Sequence, residues 1–591
     1  MRSAWNVTCV CRLRCDELKE LRKIWCFLKP HWRWTLLSPL FVATEVVAEL
    51  LQPYIMSVIV NQGVLGGDAS LIVPMGIRMV VVVLVGMLGG LLSIFAAGTV
   101  SYRMGADMRS ALFRKTMRLS FRDVDDLRMG SLITRMTSDV QRVQGVVQAS
   151  MRLLFRFPIL FVGAVSMMLM IHLKLSAVLL VVLPVLIFLI VCILKHVYPQ
   201  ILSIRGVTDR QNTIVQEYIT GMPVVKSCAN ETGEFNRFKA NNDELVDRSL
   251  RVARWMLLLG PVMSLLLNIS VAVIVYYGAR LMRLGEVNVG DIMASVNYMA
   301  QILLSLIMAS HIIMSITEAK ASMSRVDEVL SLPDEPVSSN GSVVRDDTSA
   351  IVFDHVSFSY GDGKGKGGAV LNDLCFSVRK GGTLAIVGGT GSGKSTIAYL
   401  MARFYAPSSG TIWLDGRELN GYEEALLRRK EGMVMQDSLL FSGTLRDNLR
   451  WGNLSASDDE LLRACERAQI ADFVRSQPEG LDYLVSQKGM NLSGGQRQRF
   501  SIARALVGNY DILILDDCLS AVDVYTDSLI RKELAETRAT KVVITQRMST
   551  VRSVDWILVL DQGRIMAQGT HDSLYASCDL YREMCDKQMN V

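Results

Sequence analysis

Six long apolar stretches before residue 316 constrain this chain more than any other feature of its sequence. They lie near residues 35–60, 72–98, 153–173, 175–196, 254–280 and 289–315. A bilayer core about 30 Å thick is crossed by about 20 helical residues, so each stretch is long enough to span it. Half of the 591 residues are hydrophobic and only 20% are charged, which excludes a disordered chain. We therefore expect six membrane helices over residues 35–330, with a tight turn at 172–174 between the third and fourth.

Two polar segments, residues 99–152 and 197–253, connect spans of this domain. Each is long enough for two helices of about 25 residues, which would project about 37 Å beyond the bilayer. The first segment is rich in Arg, whereas residues 61–70 contain no Lys or Arg. Because basic loops stay in the cytoplasm, we expect these extensions, the N-terminus and the second half of the chain to be cytoplasmic. Residues 18–34 mix basic residues with Trp, which predicts an interfacial helix within a cytoplasmic segment 1–34.

A few polar side chains interrupt the apolar stretches. They are Glu45 and Glu49 in the first, Asn268 in the fifth, and Asn297, Gln301 and His311 in the sixth. Glu45 and Glu49 are four residues apart and therefore share one face of a helix. Intramembrane ionisable groups are costly and usually face a cavity or a partner. Two interpretations stay open for Glu45, a contact to a substrate or cation and an interhelical hydrogen bond, and we favour the second.

Charge and cysteine content exclude further classes of protein. The net charge is only +6 and forms no basic stripe, so no nucleic-acid partner is expected. The eleven cysteines are spread along the chain instead of forming a dense disulfide framework, which indicates a reducing, cytoplasmic environment for the soluble half. Cys9, Cys11 and Cys15 cluster near the start, but with no nearby His they are a weak metal-site candidate.

A glycine-rich loop follows a short apolar strand in the second half of the chain. A polar linker covers residues 331–348, and the strand covers 384–387. The loop consists of Gly388, Gly389, Thr390, Gly391, Ser392, Gly393, Lys394 and Ser395. A G-x-x-x-x-G-K-S loop between a strand and a helix cradles phosphates with backbone N–H groups. Lys394 would neutralise the β- and γ-phosphates, and Ser395 would hold Mg²⁺. We expect a P-loop domain over residues 349–591 that binds a nucleoside triphosphate.

Two later motifs narrow the class of P-loop protein. Asp516 ends the apolar strand 512–515, where it is placed to hold the same Mg²⁺. Between the P-loop and this strand lies Leu492-Ser493-Gly494-Gly495-Gln496, which resembles the signature of the ATP-binding cassette (ABC) family. Residues 130–140 and 217–227, together with the six spans, resemble multidrug-type ABC exporters. The resemblance covers essentially the whole chain from about residue 18.

This resemblance implies a fold, cofactors and site residues. The fold is an all-α six-helix transmembrane domain with long cytoplasmic extensions, followed by an α/β P-loop ABC nucleotide-binding domain. The cofactors are ATP and Mg²⁺. Tyr360 would stack on adenine, Gln436 would join Ser395 and Asp516 as a Mg²⁺ ligand and act in catalysis, and Thr396 would extend the P-loop contacts. In the family, two halves dimerise, and each ATP lies between one chain's P-loop and the other's signature, here Ser493, Gly494, Gly495 and Gln496. Tips near 121–126 and 217–221 would transmit motion to the membrane domain.

Two departures from the family pattern concern hydrolysis. Asp517 stands where the family usually has a Glu that positions or deprotonates the attacking water, and Gln546 stands where it has a His that contacts the γ-phosphate. The Asp side chain is one methylene shorter, and Gln can carry neither charge nor a proton. We therefore expect the site on this P-loop to bind ATP well and to hydrolyse it slowly. Gln487, where a Glu usually precedes the signature, is a third and lesser departure.

An impaired hydrolytic pair beside an intact signature is what one half of a heterodimer would carry. We expect an ATP-driven exporter subunit in a bacterial inner membrane, paired with a second ABC half-transporter that supplies the usual Glu and His. Its substrate would be a small amphipathic molecule such as a drug, lipid or peptide. Two alternatives stay open, a homodimeric exporter with two slow sites and an ATP-gated regulatory protein that does not pump.

Overall fold

The computed structural model describes residues 19–333, 348–360 and 369–589. Cys9, Cys11 and Cys15, most of the predicted linker 331–348 and the side chain of His311 lie outside the described residues. The chain forms two compact units. The first contains the described residues up to Met117 together with Met129–Leu332, and the second contains Arg118–Arg128 together with the residues from Pro333 onward.

Long helices build the first unit. In chain order, with α4 belonging to the second unit, the helices are α1 (Lys19–Leu28), α2 (Trp32–Val58), α3 (Ala69–Thr116), α4 (Phe121–Leu127), α5 (Met129–Thr134), α6 (Val140–Ile171), α7 (Leu173–Ser176), α8 (Leu179–Ser227), α9 (Glu231–Arg283) and α10 (Val289–Ser331). Ile59–Val64 and Arg135–Asp139 are π-helical, and Lys29–His31 is a 3₁₀ turn. The short α7 makes the predicted turn after α6.

Each predicted span coincides with one of these helices. Among the described residues, the helical stretches long and apolar enough to cross a bilayer are Lys23–Val64, Ala69–Thr116, Met129–Ile171, Glu231–Arg283 and Val289–Leu306. The predicted fourth span falls at the start of α8, where the described apolar stretch, Leu173–Leu189, is shorter. Helices α2, α6 and α10 share a buried apolar core, and the hydroxyl of the fully buried Tyr298 in α10 donates to the Leu50 carbonyl of α2 at 2.7 Å.

The cytoplasmic extensions continue the membrane helices without a break. Helix α3 has 48 residues, so at 1.5 Å per residue it is about 72 Å long and extends well past the bilayer. The first extension reverses through the separate short helix α4, which covers the predicted tip at 121–126. The second reverses at residues 228–230, between α8 and α9. Residues 217–221, predicted to be a tip, lie instead inside α8, because the helix continues past Gly221 and Pro223 to Ser227.

An ion pair between a buried carboxylate and a partly exposed Arg joins the first extension to the end of the last membrane helix. Arg325 of α10 donates to both carboxylate oxygens of the fully buried Asp139, with Nε lying 2.8 Å from Oδ2. Arg135 donates to the Arg325 carbonyl at 2.9 Å and pairs with Glu328 at 2.7 Å. Both Arg135 and Asp139 belong to the π-helical turn, a departure from α-helix that often marks a functional position.

The second unit contains two larger sheets. The strands are β1 (Ser349–Phe358), β2 (Leu371–Arg379), β3 (Thr383–Gly388), β4 (Ser409–Leu414), β5 (Arg417–Glu418), β6 (Glu431–Val434), β7 (Gly443–Thr444), β8 (Leu484–Val485), β9 (Ile512–Asp516), β10 (Thr540–Ile544), β11 (Trp556–Asp561) and β12 (Arg564–Gly569). One sheet has the order β2-β1-β4-β5 and the other β12-β11-β3-β10-β9-β6. In the second sheet, β11, β3, β10, β9 and β6 are parallel. Strand β9, which is apolar up to its final Asp516, is buried on both faces, as is usual in a parallel sheet.

The remaining helices cover these sheets. They are α11 (Lys394–Met401), α12 (Glu424–Lys430), α13 (Leu445–Arg450), α14 (Asp458–Arg467), α15 (Ala471–Ser476), α16 (Gly494–Val507), α17 (Val524–Ala535), α18 (Met548–Val551), α19 (His571–Ser577) and α20 (Asp579–Met589). In a parallel sheet of this kind, ligands bind beyond the carboxyl ends of the strands.

Candidate functional site

The carboxyl ends of four neighbouring parallel strands bring the predicted nucleotide-binding residues to one edge of the sheet. The P-loop follows β3, Asp516 ends β9, Gln546 follows β10 and Gln436 follows β6. The register pairs Ile544 with Asp516, so Gln546 and Asp517 emerge side by side. Val434 pairs with Leu515, which places the exposed Gln436 beside the same edge. Residues up to 158 positions apart in the sequence are thus neighbours at this edge.

Two glycines of the P-loop are required by its geometry. Gly388 has a φ of +155°, and a Cβ there would lie 2.0 Å from the Leu560 carbonyl oxygen. Gly393, directly before α11, has a φ of +98°, a left-handed conformation in which a side chain is strained. These two positions let the loop fold tightly into the start of α11. The loop therefore ends at a helix N-terminus, which attracts phosphate.

Lys394 turns back over this loop. Its ammonium donates to the carbonyls of Gly388 at 3.0 Å and Gly389 at 2.7 Å. Burial lowers the pKa of Lys394, while the nearby carboxylates of Asp517 and Asp516 act in the opposite direction. The position suits a lysine that neutralises phosphate oxygens at the mouth of the loop.

Two of the three predicted Mg²⁺ ligands, Ser395 and Asp516, are in contact. The Ser395 hydroxyl donates to Oδ1 of Asp516 at 3.1 Å. Burial raises the pKa of Asp516, and the hydrogen bond from Ser395 offsets part of that effect. The second carboxylate oxygen, Oδ2, is buried and has no hydrogen-bond partner among the described residues. A hydroxyl and an unpartnered buried carboxylate oxygen are the hard oxygen donors that Mg²⁺ prefers, so the site fits this ion.

The predicted adenine-stacking residue lies beside the P-loop helix. The Tyr360 hydroxyl and Thr396 Oγ1 are 3.1 Å apart, and the Tyr360 ring is 41% exposed. Its edge-to-face partners are Phe358 at 4.8 Å and Tyr405 at 5.3 Å between ring centroids. These two contacts fix the ring plane and leave part of the ring free to stack on a base.

Helix α4 packs against the same aromatic group within the second unit. Phe121 stacks on Phe404 at 4.3 Å, and the Tyr405 hydroxyl donates to Asp125 at 2.5 Å. Tyr405 therefore contacts both the predicted tip at 121–126 and the ring of Tyr360. Sequence reasoning missed Phe404 and Tyr405, because no motif distinguishes them from core aromatics.

Asp517 occupies an unusual backbone position directly after the Mg²⁺ candidate. Its φ is +42°, in the left-handed region that Asp tolerates better than most residues. Its N–H donates to the Ile544 carbonyl at 2.9 Å, which ties it to the strand that leads to Gln546. Burial raises the pKa of Asp517, while the cations of Arg547 and Lys394 oppose the shift.

The signature caps α16 and contacts a loop at residues 520–523. The Ser493 hydroxyl accepts from the Gln496 N–H at 3.2 Å, and the Gln496 side chain accepts from the Ser493 N–H at 2.8 Å. A Cβ at Gly495 would lie 2.9 Å from the Ala521 carbonyl oxygen, so this glycine permits the close approach. No hydrogen bond in the described part of the chain connects residues 493–496 to the P-loop. Gln487 lies in a 3₁₀ turn just before this motif.

Arg547 is a further residue that sequence reasoning missed. It follows Gln546 and donates to the carbonyls of Ser520 at 2.8 Å and Val522 at 3.1 Å. Its other nitrogen lies 3.4 Å from the buried carboxylate of Asp527. Arg547 thus connects the loop that carries Gln546 to loop 520–523. An Arg beside a predicted site residue was the signal available in the sequence.

The membrane helices contain a second charged cluster. Arg156 of α6 donates to both Glu45 and Glu49 of α2, with 2.7 Å to Glu49. Arg152 lies 3.9 Å from the other oxygen of Glu45. The structure therefore gives Glu45 an interhelical partner. Sequence reasoning missed this Arg, although a charged residue inside an apolar stretch was visible. Asn268 and Asn297 donate to carbonyls of their own helices, and Gln301 donates to the Glu49 carbonyl at 3.4 Å.

Comparisons with known proteins agree with this architecture. The family described as ABC transporter transmembrane region matches residues 35–306, and the family described as ABC transporter matches residues 371–520. The chain is 34% identical over 568 residues to the uncharacterized ABC transporter ATP-binding protein YfiB of Bacillus subtilis, covering 96% of this chain and 98% of that protein. It is 31% identical to the probable multidrug resistance ABC transporter ATP-binding/permease protein YheI of Bacillus subtilis, covering 96% and 97%.

A solved structure gives the same result for the fold. A bacterial Atm1-family ABC exporter with ATP bound is similar to this chain with a TM-score of 0.77 and 26% identity. The similarity covers 97% of this chain and 99% of that chain, so both the membrane helices and the sheets are included.

Proposed function

The chain belongs to the ABC transporter family as an exporter half-transporter, and from that premise we propose that it forms one half of a heterodimeric exporter whose own P-loop site hydrolyses ATP slowly. It is a multi-pass membrane protein with a cytoplasmic ATP-binding domain. Such a subunit uses ATP hydrolysis to drive transport out of the cytoplasm.

The pair Asp517 and Gln546 carries the proposal of slow hydrolysis. The register of β9 and β10 pairs Ile544 with Asp516, which supports a joint role for the residues that follow, Asp517 and Gln546. The family pattern has a Glu and a His in these two positions. A shorter carboxylate holds the attacking water farther from the phosphorus, and a misplacement of about 1 Å can cost about a hundredfold in rate. Losing general-base help costs about 10²- to 10⁴-fold. Gln546 offers a hydrogen bond to the γ-phosphate but no charge.

Binding does not depend on this pair. Tyr360, the P-loop from Gly388 to Thr396 and the Lys394 ammonium would hold the nucleotide. Ser395, Asp516 and Gln436 would hold Mg²⁺, which supplies charge neutralisation between the β- and γ-phosphates. The contact between Ser395 and Asp516 and the unpartnered Oδ2 of Asp516 support this assignment. We therefore propose a site that retains ATP over many transport cycles.

The signature supports a heterodimer. Residues 493–496 form a complete capping box and are partly exposed, so they are available to a second chain. In the exporter fold, a signature completes the site on the partner's P-loop. A partner with the usual Glu and His would therefore form one fully active site with Ser493 and its neighbours. ATP closes the two halves on each other and hydrolysis separates them, which alternates the access of the membrane cavity.

The proposed substrate is a small amphipathic molecule such as a drug, lipid or peptide. The membrane helices combine apolar surface with the partly exposed charges of Glu45, Arg152 and Arg156. Charged groups within membrane helices usually face a cavity or another helix. The multidrug description of the relative YheI is consistent with such a substrate.

Purification of this chain from its native membrane tests the heterodimer. The tagged chain is extracted in mild detergent, and the co-purifying proteins are identified with their stoichiometry. We expect a second half-transporter at equal amount, with Glu and His in the positions of Asp517 and Gln546. Purification of this chain only with itself contradicts the proposal and leaves a homodimer with two slow sites. ATP-dependent conductance without substrate accumulation in proteoliposomes contradicts the pump and supports a gated protein.

A further inference from the structure

The side chain of Gln588, near the end of α20, bridges the backbone on both sides of Arg547. Its Nε2 donates to the Gln546 carbonyl at 2.6 Å, and its Oε1 accepts from the Met548 N–H at 2.8 Å. One amide group therefore holds both ends of the short segment that carries Gln546. The two bonds use the donor and the acceptor of the amide together, so a single side chain fixes both position and direction.

Helix α20 is itself firmly anchored. Tyr581 and Cys585 are fully buried, and they pack with Met548 and Val551 of α18 and with Ala385 and Val387 of β3. The Tyr581 hydroxyl lies 2.7 Å from Nδ1 of His571. Gln588 is three residues after Cys585 and seven after Tyr581, so it lies on the same face of the helix. The side-chain amide of Gln588 therefore extends from a helix that is packed against β3, the strand that precedes the P-loop.

The segment held by Gln588 also contacts loop 520–523. Arg547 donates to the carbonyls of Ser520 and Val522, and loop 520–523 is bonded in turn to Gln498 of the signature helix at 2.9 Å. The side chain of Gln546 is exposed, so the position of this residue is fixed by the hydrogen bonds of its backbone. A shift of the backbone at residue 546 would move both the Gln546 amide and the Arg547 guanidinium.

We propose that Gln588 is a positioning residue for hydrolysis, which holds the backbone of residues 546–548 so that Gln546 reaches the γ-phosphate and Arg547 reaches loop 520–523. This inference rests on the proposed role of Gln546 in the ATP site. It assigns to the C-terminal helix a part in setting the rate of hydrolysis, separate from ATP binding. Among the described residues, the hydrogen bonds of the Gln588 side chain go to the backbone of Gln546 and Met548 and not to the P-loop.

Three variants of the purified full-length complex test the proposal. Gln588→Ala removes both bonds. Gln588→Glu is nearly isosteric and still accepts from Met548, but has no donor for the Gln546 carbonyl. Lys587→Ala is the control, because Lys587 pairs with Glu583 on the exposed side of α20. Two quantities are measured, the hydrogen exchange of the Met548 amide and the single-turnover hydrolysis of azido-ATP photolabelled on this chain.

We expect Gln588→Ala to accelerate exchange at Met548 about tenfold, which corresponds to the loss of one hydrogen bond. Single-turnover hydrolysis should fall about tenfold or more in both Gln588 variants, with ATP affinity within about twofold of wild type. Exchange at Met548 should stay near wild type in Gln588→Glu, which separates the two bonds. A loss of ATP affinity equal to the loss of rate would indicate a merely structural role and overturn the proposal. Unchanged exchange and rate in Gln588→Ala would overturn it as well.

Gln546→Ala separates this inference from the proposed function. If this variant hydrolyses ATP at the wild-type rate, the proposed role of Gln546 is wrong and the positioning role falls with it. If Gln546→Ala is slow while Gln588→Ala is normal, only the positioning role is wrong.

Discussion

Ser395 and Asp516 are 121 positions apart in the chain, yet the Ser395 hydroxyl donates to the Asp516 carboxylate at 3.1 Å. The contact exists because β3 and β9 both flank β10 in one parallel sheet. The loop after β3 and the end of β9 therefore meet at the same edge. The other carboxylate oxygen of Asp516 is buried and has no hydrogen-bond partner in the described part of the chain, so it is the strongest indication of a cation at this site.

Asp516→Asn should abolish Mg²⁺-dependent hydrolysis. The variant removes the anionic oxygen that would hold the ion, while the amide can still accept from Ser395. We expect a loss of at least about a hundredfold in turnover at this chain's site, because the charge on the phosphates is no longer neutralised in place. The loss is measured as the rate of single-turnover hydrolysis at increasing Mg²⁺ concentrations. Asp511→Asn, just before the same strand on the surface, is the control and should leave the rate unchanged. Equal rates for Asp516→Asn and wild type would show that Asp516 does not hold the ion.

Tyr360→Ala should weaken ATP binding, whereas Tyr360→Phe should not. Stacking of a base on an aromatic ring contributes about 1–3 kcal/mol, so removing the ring should raise the Kd for ATP by about fivefold to 150-fold. The Phe variant retains the ring and loses only the bond to Thr396. Fluorescent-nucleotide titration of the purified complex gives both constants. A Phe variant as weak as the Ala variant would mean that the hydroxyl, and not the ring, contributes to binding.

Arg325→Ala should destabilise the first unit strongly. The variant leaves the fully buried carboxylate of Asp139 without its bidentate partner, which costs about 3–5 kcal/mol. Arg142→Ala is the matched control, since Arg142 is exposed and lies 3.7 Å from the same carboxylate, and it should cost less than about 1 kcal/mol. Thermal unfolding in detergent compares the two. Equal unfolding midpoints for Arg325→Ala and Arg142→Ala would contradict the stabilising role of the pair between Arg325 and Asp139.

The same carboxylate predicts a pH dependence. Burial alone would raise the pKa of Asp139, but hydrogen bonds from Arg325 and Ser322 outweigh it, and the pKa is lowered from the ordinary value of 3.8. A lowered folded-state pKa contributes stability above the ordinary value and loses it as the pH falls through the folded-state value. The difference in stability between wild type and Asp139→Asn should therefore be full near neutral pH and shrink below about pH 4. A difference that grows on acidification would contradict the sign.

Glu45, Glu49 and Arg156 allow the two interpretations of the membrane cluster to be separated. Arg156→Leu removes the cation that pairs with both carboxylates, leaves Glu45 with the more distant Arg152, and should destabilise the protein by about 3–5 kcal/mol. The triple variant Glu45→Gln, Glu49→Gln, Arg156→Leu removes the unpaired charge and should recover most of that loss. If the triple variant recovers stability and substrate-stimulated ATPase activity, the cluster fixes packing. If it recovers stability but not stimulation, the cluster contacts substrate.

Much of the architecture could be predicted from the sequence because its signals are local. The apolar stretches predict α2, α3, α6, α9 and α10, and the P-loop follows a strand and precedes a helix, as its glycines require. The second reversal was misplaced because its position at 217–221 was inferred from the family resemblance, whereas the helix continues past Gly221 and Pro223 and ends at Ser227. Helix ends are set by packing and capping as much as by such residues.

The parts of the site that could not be predicted depend on long-range contacts between residues without motifs. Gln588 and Arg547 bond to backbone carbonyls and N–H groups, and any sequence provides these groups. Tyr405 reaches both Tyr360 and Asp125, but its sequence neighbours give no sign of it. The Arg156 partner of Glu45 is 111 positions away, so only the fold reveals that the charges are paired.

The slow hydrolysis ascribed to Asp517 and Gln546 can be measured as single-turnover hydrolysis of azido-ATP photolabelled on this chain, in wild type and in the double variant Asp517→Glu, Gln546→His. We expect slow hydrolysis in wild type and an increase of about a hundredfold in the double variant, with little change in ATP affinity. Asp511→Glu in the same complex is the control and should have no effect. Wild-type hydrolysis as fast as that of the partner's site, or no increase in the double variant, would contradict the claim that Asp517 and Gln546 make this site slow.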